Sequence, residues 1–131
     1  MRLLLDTHIW LWSLLAPDRL IPRVASEIGD PDNELWLSPI SIWETMVLSQ
    51  KGRIQLGQDA SAWIREALRR VQFQEAALNF EVALRSALLA LRHPDPADRF
   101  LLATAAVYDL TFVTGDELLL SCGEVSILAN R

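Results

Sequence analysis

This chain of 131 residues contains one cysteine, Cys122, and one lysine, Lys51. A lone cysteine excludes an intrachain disulfide and a cysteine zinc cluster, and such usage fits a reducing cytoplasm. With so little lysine, positive charge rests on arginine, whose planar fork suits phosphates and carboxylates. Positive charge is also short overall: 12 Lys and Arg face 17 Asp and Glu, a net charge of −5. That balance argues against general, salt-driven adhesion to nucleic acid. No apolar run approaches the ~20 residues needed to span a bilayer. Met1-Arg2 and the leucines after it begin like a secretion signal, but Asp6 and His8 interrupt them. Ala16-Pro17-Asp18 is also a poor cleavage site.

What the chain has is apolar content, 51% of its residues. A chain of this size is one ordinary domain and buries about two thirds of its unfolded surface. Arg2–Leu5 reads as a short buried strand and Thr7–Leu15 as a helix, with Asp6 or Thr7 as its cap. Ile21–Ile28 is a second helix with Pro22 in its first turn, and Glu34–Leu37 a second strand. Ser38 caps a helix from Pro39 to about Gln50, which Gly52 ends. Asp59–Arg70 is amphipathic, with Trp63, Ile64, Ala67 and Leu68 on one side and Arg65, Arg69 and Arg70 on the other. Val71–Leu78 is a weakly patterned third strand, and Phe80–Leu91 a helix capped by Asn79. Asp95-Pro96 opens a helix running to about Tyr108. Thr111–Val113 is a strand, Asp116–Leu120 a short helix and Val125–Leu128 a last strand. Strands alternating with helices predict a three-layer α/β/α sandwich with a mainly parallel central sheet of four or five strands.

Four acids stand out against that frame: Asp6, Glu44, Asp98 and Asp116. Asp6 and Asp116 each follow an apolar strand, at the sheet edge where ligands bind in open α/β folds. Each also has a local explanation, as the cap of the helix after it. Asp98 lies in HPDPADRF, where capping fully explains Asp95 and explains Asp98 only in part, as the third helical residue beside the positive helix end. Glu44 is six residues into its helix, too deep to cap it. Ile40, Val47 and Leu48 lie one turn away, so the carboxylate needs a partner. Brought to one rim, four such acids repel one another unless a cation neutralises them. Mg²⁺ fits oxygen donors of this kind and so does Mn²⁺. Two such ions ~3.5–4 Å apart activate a water and stabilise the leaving oxygen of a phosphodiester.

LLLDTHIWLW, SPISIWETMVLSQKGRI, DPADRFLLATA and FVTGDELLL, in that order and spacing, resemble the PIN-domain family. The closer likeness is to the VapC-like ribonuclease toxins of bacterial type II toxin–antitoxin pairs, and it covers essentially the whole chain as a single PIN-like domain, 1–131. The resemblance implies that the acidic, metal-binding catalytic positions fall on Asp6, Glu44, Asp98 and Asp116. It implies Mg²⁺- or Mn²⁺-dependent cleavage of RNA by a metal-activated water, inhibition by a cognate antitoxin, and a homodimer. Thr7 and Thr114 match small polar positions beside the first and last acids, either as ligand-orienting groups or as plain caps. Ala97 stands where a bulkier apolar residue is common in the family, a difference of packing.

The remaining candidates have plainer readings. His8, directly after Asp6-Thr7, could touch substrate, but it is expected partly buried and satisfied on the first helix, and His93 exposed in a loop. Trp10, Trp12, Trp36, Trp43 and Trp63 are expected mostly in the core. Trp10 and Trp12 cannot share one helix face, so one should be exposed or at an interface, and a groove beside the first helix is a place for an antitoxin helix. Arg53, Arg65, Arg69, Arg70, Arg92 and Arg99 are mainly surface solvation. Arg99 is the favoured functional one because it adjoins Asp98. Three rival classes are weighed. A phosphoaspartyl phosphatase wants a second Asp where this chain has His8, and a lysine where only Lys51 exists. A receiver domain meets the same lysine objection. A non-catalytic binding module keeps the acids for structure alone.

Overall fold

The structure, a computed structural model, describes residues 1–90 and 95–131. The expected end of the fifth helix at Leu91, and Arg92 and His93, lie outside the described residues. Five strands form one sheet: β1 (Arg2–Leu5), β2 (Glu34–Leu37), β3 (Gln74–Glu75), β4 (Thr111–Thr114) and β5 (Ile127–Ala129). Their order is β3-β2-β1-β4-β5 and every pairing is parallel. β1 is central because it is the most apolar: Leu3, Leu4 and Leu5 have no solvent exposure at all. A strand covered on both faces must read as a continuous apolar run.

The side chains of β1 alternate between two cores. Leu3 and Leu5 join Ile9, Trp10, Val24 and Ile64 on one face, where α1 (Thr7–Leu15), α2 (Pro22–Gly29) and α4 (Ala60–Arg70) pack. Leu4 joins Val82, Leu101, Leu102, Phe112 and Leu119 on the other, under α5 (Phe80–Leu88), α6 (Pro96–Tyr108) and α7 (Glu117–Leu120). α3 (Pro39–Gln50) reaches both cores, with Ile42 and Met46 against the first and Ile40 against the second. The expected three layers are therefore present, and the sheet is parallel throughout.

The helix starts follow local chemistry. Ser38, Asp59, Asn79 and Asp95 each accept a backbone N–H from the helix they precede, at 2.9–3.1 Å. Pro22, Pro39 and Pro96 take first helical positions, where no N–H is missed. Gly52, at φ 69°, turns the chain out of α3 through the left-handed region that glycine tolerates.

Three expectations need correction. The third strand is only two residues long, not Val71–Leu78, because its Gln and Glu side chains suit an edge, and pairing ends soon after Leu37 accepts the Ala76 N–H at 2.9 Å. Trp43 is not in the core: it is 59% exposed, on the side of α3 turned away from both cores. His8 is exposed rather than partly buried. Trp10 and Trp12 divide as their spacing requires, Trp10 fully buried and Trp12 half-buried.

The topology creates a ligand position. The chain builds the sheet outward from β1 through β2 to β3, then returns to place β4 on the other side of β1. In an open α/β sheet such a reversal leaves a crevice at the carboxyl ends of the two strands that flank it. Here those strands are β1, followed by Asp6, and β4, followed by Gly115 and Asp116.

Candidate active site

Asp6 is fixed from several sides. Its N–H still bonds the sheet, donating to the Val113 carbonyl at 3.0 Å. Its Oδ1 accepts the Thr7 N–H at 2.8 Å, which caps α1, and its Oδ2 accepts the Thr114 hydroxyl at 2.7 Å. The Thr114 oxygen accepts the Asp116 N–H at 3.1 Å. The ends of β1 and β4 are thus tied by a relay from Asp116 through Thr114 to Asp6. The Asp6 carboxyl is only 8% exposed, and burial raises its pKa against the lowering pull of Thr114.

Glu44 finds its partner on α1. The Thr7 hydroxyl donates to Glu44 Oε1 at 2.6 Å and lies 2.8 Å from the Ser41 hydroxyl, one turn earlier on α3. Thr7 and Thr114 therefore each hold a carboxylate, and the cap of α1 is Asp6. The pKa of Glu44 is also raised, first by burial, while the Thr7 hydrogen bond opposes the shift.

α6 brings two more acids. Asp95 caps it, accepting the Ala97 N–H at 2.9 Å, and Asp98 follows in the first turn. Asp98 is pushed up to about 8, first by burial and then by the negative charges of Asp6, Asp95, Glu44 and Asp116. Asp116 caps α7, accepting the Leu118 N–H at 2.9 Å. The capping reading and the cluster reading thus hold together for Asp6 and Asp116, because a cap stands where a strand gives way to a helix.

Asp6, Glu44, Asp95, Asp98 and Asp116 line one open cavity of about 350 Å³, with His8, Ile9 and Trp12 at its side. All four acids singled out in the sequence reach it. Asp95 does too, so capping was not its full explanation. The signal was present in the sequence, since residues three apart at a helix start share a face. His8 also lines the cavity, in keeping with the substrate contact that was the lesser of its two readings; it lies four residues before Trp12, and their rings meet at 5.9 Å. Arg99 points elsewhere, its guanidinium donating to the Ser86 carbonyl of α5 at 2.6 Å.

The donor set fits a hard divalent cation. Glu44, Asp95 and Asp98 can each offer one carboxylate oxygen, all within 4.8 Å of one another. Every donor is oxygen, neighbouring negative charges help raise the pKa of Glu44 and Asp98, and a bound divalent cation would remove that cost.

Comparisons with known proteins bear on the family and the fold. Residues 3–122 match the sequence model of the PIN domain family. The chain is 33% identical over 119 residues to Ribonuclease VapC22 of Mycobacterium tuberculosis, covering 90% of this chain and 89% of that protein. Its fold is similar to VapBC2 from Rickettsia felis bound to a promoter DNA fragment, with TM-score 0.72, 12% identity and 98% of each chain covered. It is also similar to a toxin–antitoxin complex from Klebsiella pneumoniae, with TM-score 0.68, 23% identity, and 98% and 97% of the two chains covered. Among the described residues no helix is long and apolar enough to cross a membrane.

Proposed function

The chain belongs to the PIN domain family, and from that premise we propose that it is a divalent-metal-dependent endoribonuclease, the toxin of a toxin–antitoxin pair. The observation that carries this reading is the delivery of five carboxylates from four segments of the chain into one cavity at the sheet reversal. A core without chemistry would not gather like charges at that cost. The mycobacterial relative is a ribonuclease, which supports RNA as substrate, and the resemblance to toxin–antitoxin complexes supports a cognate antitoxin as partner. The whole chain, 1–131, acts as one domain in this reading and pairs with a second copy.

Asp6, Glu44, Asp98 and Asp116 hold Mg²⁺ or Mn²⁺ in this proposal, and Asp95, which the sequence assigned only to capping, joins them. The cation lowers the pKa of a water and stabilises negative charge on the phosphate. The protein supplies position. Thr114 fixes the rotamer of Asp6 and Thr7 that of Glu44, so that the carboxylates are oriented before a ligand arrives. Burial of Asp6 limits its contact with bulk water and strengthens its interaction with a cation.

The test is RNA cleavage by the purified chain with Mg²⁺ or Mn²⁺, repeated with EDTA and with Asp6→Asn. Cleavage is expected only in the first case, with the Asp6→Asn chain still folded. Full activity in Asp6→Asn or in EDTA overturns the proposal. Phosphate release from a small phosphomonoester, without RNA cleavage, would favour a phosphatase.

A further inference from the structure

The acidic cavity has one wall that is not acidic and that leans on the first core through Ile9 and Trp12. His8 is exposed and lines the cavity, and Trp12 lines it one helical turn further along α1. Their ring centroids are 5.9 Å apart with planes at 53°. On Trp12 the guanidinium of Arg19 sits 5.2 Å from the ring centroid. His8 lies within electrostatic reach of the Asp6 and Glu44 carboxylates, and the Trp12 ring backs it from the other side. The row runs Arg19, Trp12, His8 and ends at the carboxylates. Arg19 braces Trp12, Trp12 backs His8, and the imidazole is the aromatic surface nearest the acids.

We propose that His8, held by Trp12, is a stacking platform for the base of a single-stranded RNA nucleotide next to the phosphate that is cut. This rests on the ribonuclease reading above. An enzyme with net charge −5 and an acid-lined cavity repels the phosphates it must handle. Cations offset that repulsion at one phosphate only. Affinity for the neighbouring nucleotide therefore has to come from a contact indifferent to charge. Stacking of bases on aromatic rings is such a contact, and it tolerates sequence because every base has a π-face. A duplex buries those faces, and a cavity of about 350 Å³ is of the size that takes one small unit rather than a helix. The platform therefore takes a base splayed out of its stack.

The platform is read by comparing two probes on the Asp98→Asn chain, which is expected to leave RNA intact. One is a short fluorescein-labelled single-stranded RNA of mixed sequence. The other is the same ribose-phosphate chain without bases. Fluorescence anisotropy with Mn²⁺ present should show the RNA bound about tenfold more tightly than the baseless chain. Adding His8→Ala, a change at an exposed position, should remove that preference, whereas His8→Phe should keep it. Trp12→Leu should weaken it, because His8 loses its backing. Equal binding of the two probes by the starting chain overturns the platform, and so does a preference that survives His8→Ala. Loss of the preference in His8→Phe would assign it to imidazole charge instead and also overturn stacking. If the unaltered chain cleaves no RNA, the ribonuclease reading falls and the platform falls with it. Normal cleavage with no base preference removes the platform alone.

Discussion

Two cavities open beside α3, and they differ in everything except position and scale. One, of about 460 Å³, is lined by Leu37, Pro39, Ile42, Trp43, Leu68 and Phe73, with Glu75 its one ionisable side chain. The other, of about 350 Å³, collects the acids. Trp43 faces the first and its neighbour Glu44 the second, because successive residues of a helix point about 100° apart. The larger, more apolar space would be the default choice for a ligand site. The charges decide against it. The apolar cavity costs little, since exposed apolar side chains are common on protein surfaces. The acidic one holds Asp6, Glu44 and Asp98 with raised pKa values, a cost that helix capping does not require and that a bound cation would relieve. It also stands at the sheet reversal between β1 and β4, whereas the apolar cavity lies at the β3 edge.

The comparison breaks most sharply at the carboxylates. Glu44→Gln and Asp98→Asn should each lower RNA cleavage by more than the ~100-fold typical of losing an outer partner of a metal ligand. Circular dichroism should show both folded. Retained activity in either would mean that the acidic cavity has no more chemistry than the apolar one.

A smaller effect is expected one layer out. Thr114→Val keeps the shape of a buried side chain but frees the rotamer of Asp6 and strands the Asp116 N–H. Cleavage should fall ~10–100-fold. Thermal unfolding should show a loss of about 1–3 kcal/mol for the hydrogen-bonding groups left unpaired. Unchanged kinetics would show that Asp6 needs no positioning.

Stability against pH separates the cavities without any substrate. Asp98 titrates near 3.8 when unfolded and at about 8 in the folded, metal-free chain. Between those values the folded state holds the extra proton, so stability falls as pH rises through that window. Asp6 and Glu44, also raised, add to the same slope. The melting temperature of the EDTA-treated chain should therefore decline with pH, and Asp98→Asn should flatten the decline. Added Mg²⁺ should recover most at the alkaline end, where the ligands have already lost their protons. A flat profile for the parent chain would show that the carboxylates do not share one site.

The smallest effect is expected at the other cavity. Trp43→Ala should change RNA cleavage by no more than about twofold, the scale of ordinary surface substitutions. A large loss in kcat would join the two cavities into one functional unit.

The strands and helices that carry the acids were legible because their signals are local. Leu3–Leu5 announce a buried strand, and Ser38-Pro39 and Asp95-Pro96 announce helix starts, as found. Glu44 was legible because no cap explains an acid so deep in a helix. Other features were not local. β3 shrank because an edge strand is defined by its single neighbour, not by its own residues. Asp95 looked fully explained by capping, and its place in the cavity depends on where α6 lies against α3. Trp43 was expected in the core because tryptophan usually prefers burial, yet the helix turned it outward.

The amino-acid order alone thus determined the alternation of elements, the buried apolar strand and the four suspect acids. These rest on period, capping and the cost of an unpaired charge, which act over a few residues. Tertiary structure decided the return of β4 to the flank of β1, which set Asp116 opposite Asp6. It also decided that Thr7 would reach Glu44 and Thr114 would reach Asp6, across 37 and 108 residues of chain. Hydrogen bonds at such separations depend on which strands are neighbours. That is fixed when the sheet packs both faces of β1, and no local pattern encodes it.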